Sequence, residues 1–250
     1  MGQMGEVDPS AFMLSKPNPS PNAKYNGDTV PIQFIYFLNL FAKAITAQLL
    51  VEVGEGTNPE KADQIGIMAV SVFANLELLW RGTSMIDILM ARIRKLAPAI
   101  FGLRGNEKTE EGRARLGWKR YGPNWAEKEN HLARMFGLGA GYAAITLRNF
   151  ANSSKLKHPF PPYHYWQTMA SIVSTPPEQA SSTQYAILQG MTSGVYEGKF
   201  LAIYGSAARA ALRIALVDFP SQALPEHLNA ARTLATVADR LERDQGFYLK

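Results

Sequence analysis

The stretch PIQFIYFLNLFAKAITAQLLVEV, Pro31 to Val53, decides the fold class. Pro31 suits a helical first turn, where the N–H it lacks would go unbonded in any case. From there Ile32, Ile35, Tyr36, Leu38, Ile45 and Leu49 recur at helical spacing and trace an apolar stripe toward Val53. GEGTNPEKA then breaks and restarts the chain. Thr57 and Glu60 stand in capping-box spacing with Pro59 in the first turn, which predicts a second helix from about Pro59 to Leu79. A third is expected from Thr83 or Ser84, with Met85, Ile86, Leu89, Ile93 and Leu96 on one side.

Further along, helical patterns are expected near residues 126–136, 142–150, 163–174, 178–195, 199–218 and 225–244. Residues 102–123 are glycine-studded, charged and weakly periodic, which reads as a long loop, and loops of that length are usually functional or mobile. No segment alternates like a strand between hairpin turns, and no fixed-period repeat stands out. The expected fold is all-α: a helical core, as one domain or two lobes around a basic groove, with an extended N-terminal arm. The divisions are an arm at 1–29, a helical RNA-binding core at 30–224, and a C-terminal helix and tail at 225–250.

The arm is rich in Pro, Asn, Ser and Gly, yet Phe12, Met13 and Leu14 form an apolar knot that a solvated tail rarely needs. It is expected to dock, on its own domain or on a neighbouring copy. At 250 residues and 46% hydrophobic, the chain can bury a substantial core. It has no cysteine, which excludes disulfides and thiolate chemistry. The N-terminus lacks a secretory pattern, and uncharged apolar stretches such as Val30 to Ala42 fall short of the roughly 20 residues that span a bilayer, so no membrane span is expected.

The charge is local. Residues 80–157 carry 15 Lys/Arg against six Asp/Glu, a balance of +9, while the rest carries 11 against 15, or −4. Such an asymmetry suits a surface that faces a polyanion, or equally the exposed faces of several helices. Catalytic patterns are lacking. Gly137, Gly139 and Gly141 follow a helical segment rather than the strand a dinucleotide site requires, and read as a closely packed helix junction. Glu127 and His131 are four apart but make no HExxH motif, and read as an intrahelical contact. Neither a P-loop nor a nucleophile elbow occurs. A non-enzyme without metal or cofactor is expected; a buried, perturbed Glu beside His131 would revive an enzyme.

WKRYGPNW, residues 118–125, interleaves aromatics with cations, a combination that stacks on unpaired bases and neutralises phosphates. The candidate RNA-binding residues are Arg92, Arg94, Arg113, Arg115, Trp118, Lys119, Arg120, Tyr121 and Trp125. Tyr163, Tyr165 and Trp166, after Lys155 and Lys157, form a second aromatic group.

VGEGTNP after an apolar helix, the Arg92/Arg94 helix ending in LAPAIF, and GPNWAEK together resemble the coat proteins of flexible filamentous plant viruses, over Val51 to Phe136. That family's aspartate beyond the tryptophan is absent, since residues 132–136 read LARMF. VDPSAF and VPIQFIYFLNLFAKA are similar to the N-terminal region of nucleoproteins of segmented negative-strand RNA viruses. Both resemblances imply a capsid or nucleocapsid protein of the virion and host cytoplasm. It would polymerise on single-stranded RNA, with Phe12, Met13 and Leu14 docking on neighbouring copies. The rival expectation is a non-viral all-α scaffold that binds a protein partner or an anionic surface through the same basic region.

Overall fold

In a computed structural model of the chain, residues 5–17, 24–55, 59–150, 156–194 and 196–249 are described. The fold is all-α. Helices α1 (Ile32–Gln48), α2 (Pro59–Phe73), α3 (Asp87–Leu96), α4 (Glu110–Arg115) and α5 (Lys128–Thr146) are followed by α6 (Tyr163–Val173) and α7 (Ser182–Met191). The chain closes with α8 (Tyr196–Arg213), the short α9 (Phe219–Ser221) and α10 (Leu228–Gln245). Two tiny antiparallel pairs accompany them: β1 (Glu6–Val7) with β2 (Val30–Pro31), and β3 (Arg120–Tyr121) with β4 (Asn124–Trp125).

Helix α5 is the centre of the molecule, packed against α7, α2 and the wide π turn of Leu49–Glu55 that continues α1. Every residue from Gly137 to Thr146 is buried. Sequence periodicity suggested two helices here with the glycines between them, but the helix runs straight through. A Cβ on Gly139 would overlap the Ile187 carbonyl of α7, and one on Gly137 would overlap the Leu49 carbonyl. The glycines therefore let three backbones approach closely, the packing role expected of them, at an accepted loss of helix propensity. Helix α7 starts on a capping box in which Ser181 and Gln184 each accept from the other's backbone. Thr57, the capping residue expected from the sequence, lies outside the described residues.

The arm lies on its own domain. Asp87, in the first turn of α3, accepts from the backbone N–H groups of Leu14 (2.7 Å) and Ser15 (2.8 Å). Thr83 donates to the Lys16 carbonyl at 3.0 Å, and the Trp80 indole donates to the Gly27 carbonyl at 3.1 Å. These bonds, with the β1–β2 pair, strap residues 5–17 and 24–31 across the N-terminal helices. Met13 packs on the core; Leu14 points outward and is 85% exposed.

Helix α1 departs from the expected stripe. Leu38, Ala42, Ile45 and Thr46 are buried, whereas Ile32, Tyr36, Phe37 and Leu40 are exposed. Ile32–Gly54 and Tyr196–Ser221 are each long and apolar enough to cross a membrane by length and composition, which the shorter uncharged stretches in the sequence had not suggested. Helix α8 contains a break at Gly205, whose φ of 56° and ψ of −129° suit glycine alone.

Candidate functional site

The cations of the basic middle divide into two settings. In the first, α1 and α3 lie side by side, and Arg92 Nη1 donates to Asn39 Oδ1 at 3.0 Å. Its Nε is buried and has no partner among the described residues. Lys43, one turn beyond Asn39 on α1, and Lys95, one turn beyond Arg92 on α3, are exposed and make no ion pair among the described residues. Arg94 is likewise exposed, its guanidinium 5.8 Å from the Phe101 ring centroid. Arg94 and Lys95 stand in the last turn of α3, where the helix dipole favours positive charge. The result is a cationic seam beside the exposed Tyr36 and Leu40 of α1.

In the second setting the cations hold the protein together. The segment 102–123, expected as a loop, contains α4 and most of a hairpin. Gly122, with φ of 59° at the first position of its two-residue turn before Pro123, allows that turn. Strands of two residues carry no alternation that sequence could show. Trp118 is only 9% exposed, stacked on His131 with ring centroids 4.1 Å apart. Arg113 lies 5.2 Å from the Trp118 centroid and donates through Nε to the Glu107 carbonyl at 2.6 Å. Arg120 pairs with Glu110 at 3.4 Å and lies 5.3 Å from the Trp125 centroid; Lys119 sits 4.3 Å from that of Tyr121. Arg115 is exposed. Of the candidate RNA-binding residues, Arg113, Trp118 and Trp125 line one cavity, while Arg92, Arg94 and Arg115 each border a different one.

Sequence reasoning missed the polar knot beneath this region. Glu107 Oε1 accepts from the Thr183 N–H (2.9 Å) and hydroxyl (2.7 Å), and Oε2 accepts from the Ser182 N–H at 3.3 Å. Ser182 Oγ and His227 Nδ1 are 2.9 Å apart, and Thr183 Oγ1 meets His131 Nε2 at 2.9 Å. Burial pushes the His131 pKa down to about 3, so the ring is neutral, and burial also lowers His227. Residues 75 apart in sequence meet here, and no local pattern announces that.

The knot does not form a nucleophilic relay. Ser182 and the Glu107 carboxylate, at 3.6 Å, approach the same His227 nitrogen, whereas a relay needs one on each, and Ser182 is fully buried. Glu127 meets His131 only through the backbone, His131 N–H to Glu127 O at 3.0 Å. Among the described residues no three His, Asp or Glu side chains gather as metal ligands. In the second aromatic group Tyr165 is buried and donates to the Met191 carbonyl at 3.1 Å, and Trp166 packs on Phe200. Lys155 lies outside the described residues.

The chain is an all-α domain with a cationic seam beside exposed apolar residues. The chain belongs to the GLE1-like protein family, whose sequence model matches residues 12–216. It is 46% identical over 243 residues to the mRNA export factor GLE1 of Chaetomium thermophilum, covering 97% of this chain and 45% of that protein. To the mRNA export factor GLE1 of Saccharomyces cerevisiae it is 30% identical over 210 residues, 82% of this chain and 37% of that protein. The chain therefore spans less than half the length of these relatives. It also superposes on a chain of the solved S. cerevisiae Dbp5 L327V C-terminal domain bound to Gle1 and IP6. There the TM-score is 0.70 at 27% identity, over 84% of this chain and 69% of that one.

These similarities overturn the viral expectation. The coat-protein and nucleoprotein likenesses rest on short motifs, whereas the export-factor match is continuous over most of the chain. The capsid function falls with them, as do the virion location and the polymerisation on single-stranded RNA through neighbouring copies. The solved relative is instead in complex with a Dbp5 domain and IP6. Of the two expectations for Phe12, Met13 and Leu14, docking on a neighbour or on their own domain, the structure shows an arm strapped to its own α3. Trp118, expected to stack on a base, already stacks on His131. The rival expectation, a non-viral helical scaffold, fits better.

Proposed function

We propose that this chain is the docking module of an mRNA export factor, joining the C-terminal domain of a Dbp5-like protein with IP6 as the ionic link. The observation that carries the reading is the likeness, over 84% of the chain, to a chain of the complex containing Dbp5, Gle1 and IP6. The module acts by binding and carries out no chemistry of its own.

On this reading the α1–α3 seam holds the phosphates. Lys43, Arg92 and Lys95 are the cations. A guanidinium matches phosphate geometry well, and charge-assisted bonds are about twice as strong as neutral ones. The exposed Tyr36, Phe37 and Leu40 alongside would receive apolar side chains of the protein partner. Titration calorimetry with IP6 tests the seam. The wild type is expected to bind, and Lys43→Ala/Arg92→Ala/Lys95→Ala to bind at least about tenfold more weakly, while Lys108→Ala binds as the wild type does. Equal affinity for the triple variant and the wild type would remove the seam from the account.

A further inference from the structure

The apolar knot of the arm does more than hold the arm down. Met13 packs on the core, but Phe12 stays 41% exposed and forms one wall of a cleft of about 530 Å³ between the arm, α1 and α3. Half-buried Ile35 and Ile88 line the cleft together with Ile32 and Tyr36, both more than half exposed. Large apolar side chains left uncovered around one depression mark a contact surface rather than a core. Asp87 fixes the wall. By accepting from the Leu14 and Ser15 N–H groups it keeps the arm where Phe12 meets the cleft.

The charges of the lining decide what covers it. They are Asp87, Arg92 and Lys95, all on α3. Asp87 already accepts two backbone N–H groups. Arg92 donates to the neutral Asn39, and Lys95, about 12 Å along the helix from Asp87, has no ion pair among the described residues. The cleft is therefore mostly apolar and becomes cationic where it runs into the seam. Its complement is a large apolar side chain with a carboxylate beside it. Tyr36 also belongs to the face that the docking reading gives to the protein partner, and the cleft continues that face, so the occupant is a polypeptide segment.

We infer that the cleft takes a short acidic segment of the protein partner, with one large apolar side chain lodged against Phe12, Ile35 and Ile88 and a neighbouring carboxylate paired with Lys95. The inference rests on the docking reading for the partner being a protein, and not on where the phosphates lie.

The isoleucine methyl resonances of the chain, recorded without IP6, test this, because Ile35→Val and Ile88→Val identify the two signals that line the cleft. The probes are the blocked tripeptides N-acetyl-Phe-Glu-Glu amide, N-acetyl-Phe-Gln-Gln amide and N-acetyl-Ala-Glu-Glu amide. The first is expected to move both signals in a saturable way, and the other two to bind at least about fivefold more weakly. Phe12→Ala should weaken the first probe at least about fivefold with IP6 affinity unchanged, while the Leu14 and Ser15 amide signals show the arm still bonded to Asp87. Lys95→Ala should weaken the Phe-Glu-Glu probe and leave the Phe-Gln-Gln probe as it was. No saturable shift with the first probe, either control binding as tightly as the first, or Phe12→Ala without effect would overturn the inference. So would movement of the two signals with protein concentration alone, which would make the occupant a second copy of the chain. Calorimetry with IP6 on the same sample reports on the seam, so the two readings fail separately.

Discussion

The α1–α3 seam and the segment from Gly102 to Trp125 draw on the same basic stretch of sequence and use it in opposite ways. In the seam, Lys43 and Lys95 stand exposed without ion pairs among the described residues, and Arg92 keeps a bare Nε. Around the hairpin, Arg113, Lys108 and Arg120 are committed to the Glu107 carbonyl, Glu226 and Glu110. A balance of +9 over residues 80–157 counts Arg92 and Lys95 alike with Lys108, Arg113 and Arg120, and leaves out Lys43. What separates a binding surface from an architectural one is whether the protein's own acceptors have already taken the charge.

That division can be broken from the inside first. Glu107→Ala would strip the acceptor from two N–H groups and a hydroxyl beside His227; a loss of about 3 kcal/mol in urea unfolding is expected, with IP6 affinity unchanged. Loss of IP6 binding without loss of stability would reverse the assignment.

Glu197 sharpens the comparison, being a buried carboxylate whose Oε2 has no partner among the described residues and whose Oε1 lies 3.5 Å from Arg240. Burial pushes its pKa up to about 7, against the pull of Arg240. Between pH 4.5 and 7 the folded chain keeps this proton while the unfolded chain releases it, so raising the pH lowers stability, with the loss complete above the folded pKa. Wild type should therefore lose about 2 to 3 kcal/mol more than Glu197→Gln between pH 5 and pH 8. His131, with its pKa near 3, gives the opposite slope below pH 6.5, but it is common to both proteins and cancels in the difference. Parallel pH profiles for the two would count against a perturbed Glu197.

Smaller effects follow on the exposed side. Arg92→Ala alone should cost about 1.4 kcal/mol of IP6 binding and under about 0.5 kcal/mol of stability. Gly205→Ala, which cannot adopt the glycine conformation at the α8 break, should lower the unfolding free energy by about 1 kcal/mol. Lys119→Ala, which removes an exposed cation beside Tyr121, should change stability by no more than about 0.5 kcal/mol, and IP6 affinity not at all.

What could be read from sequence follows from how local each feature is. Helix α6 matches its periodicity, and the close packing of Gly137, Gly139 and Gly141 was legible as such, though not that α5 runs through them. The concentration of basic residues in the middle of the chain was legible. Its sorting was not, because Arg92 meets Asn39 across 53 residues and Glu107 meets Thr183 across 76. Lys43 drew no notice, standing alone in an apolar helix until α3 is laid beside it. WKRYGPNW looked like one aromatic surface, but Trp118 is buried against His131 of α5, while Lys119, Arg120 and Tyr121 remain exposed. The short viral motifs misled because five or six residues of helix ending and turn recur in unrelated helical proteins.

The most direct test of the central claim is the affinity of this chain for the C-terminal domain of S. cerevisiae Dbp5, measured with and without IP6, for the wild type and for Lys43→Ala/Arg92→Ala/Lys95→Ala. The account expects wild-type binding that tightens at least about tenfold with IP6, and a triple variant in which IP6 makes no difference. Wild-type binding indifferent to IP6, or a triple variant as responsive as the wild type, would contradict it.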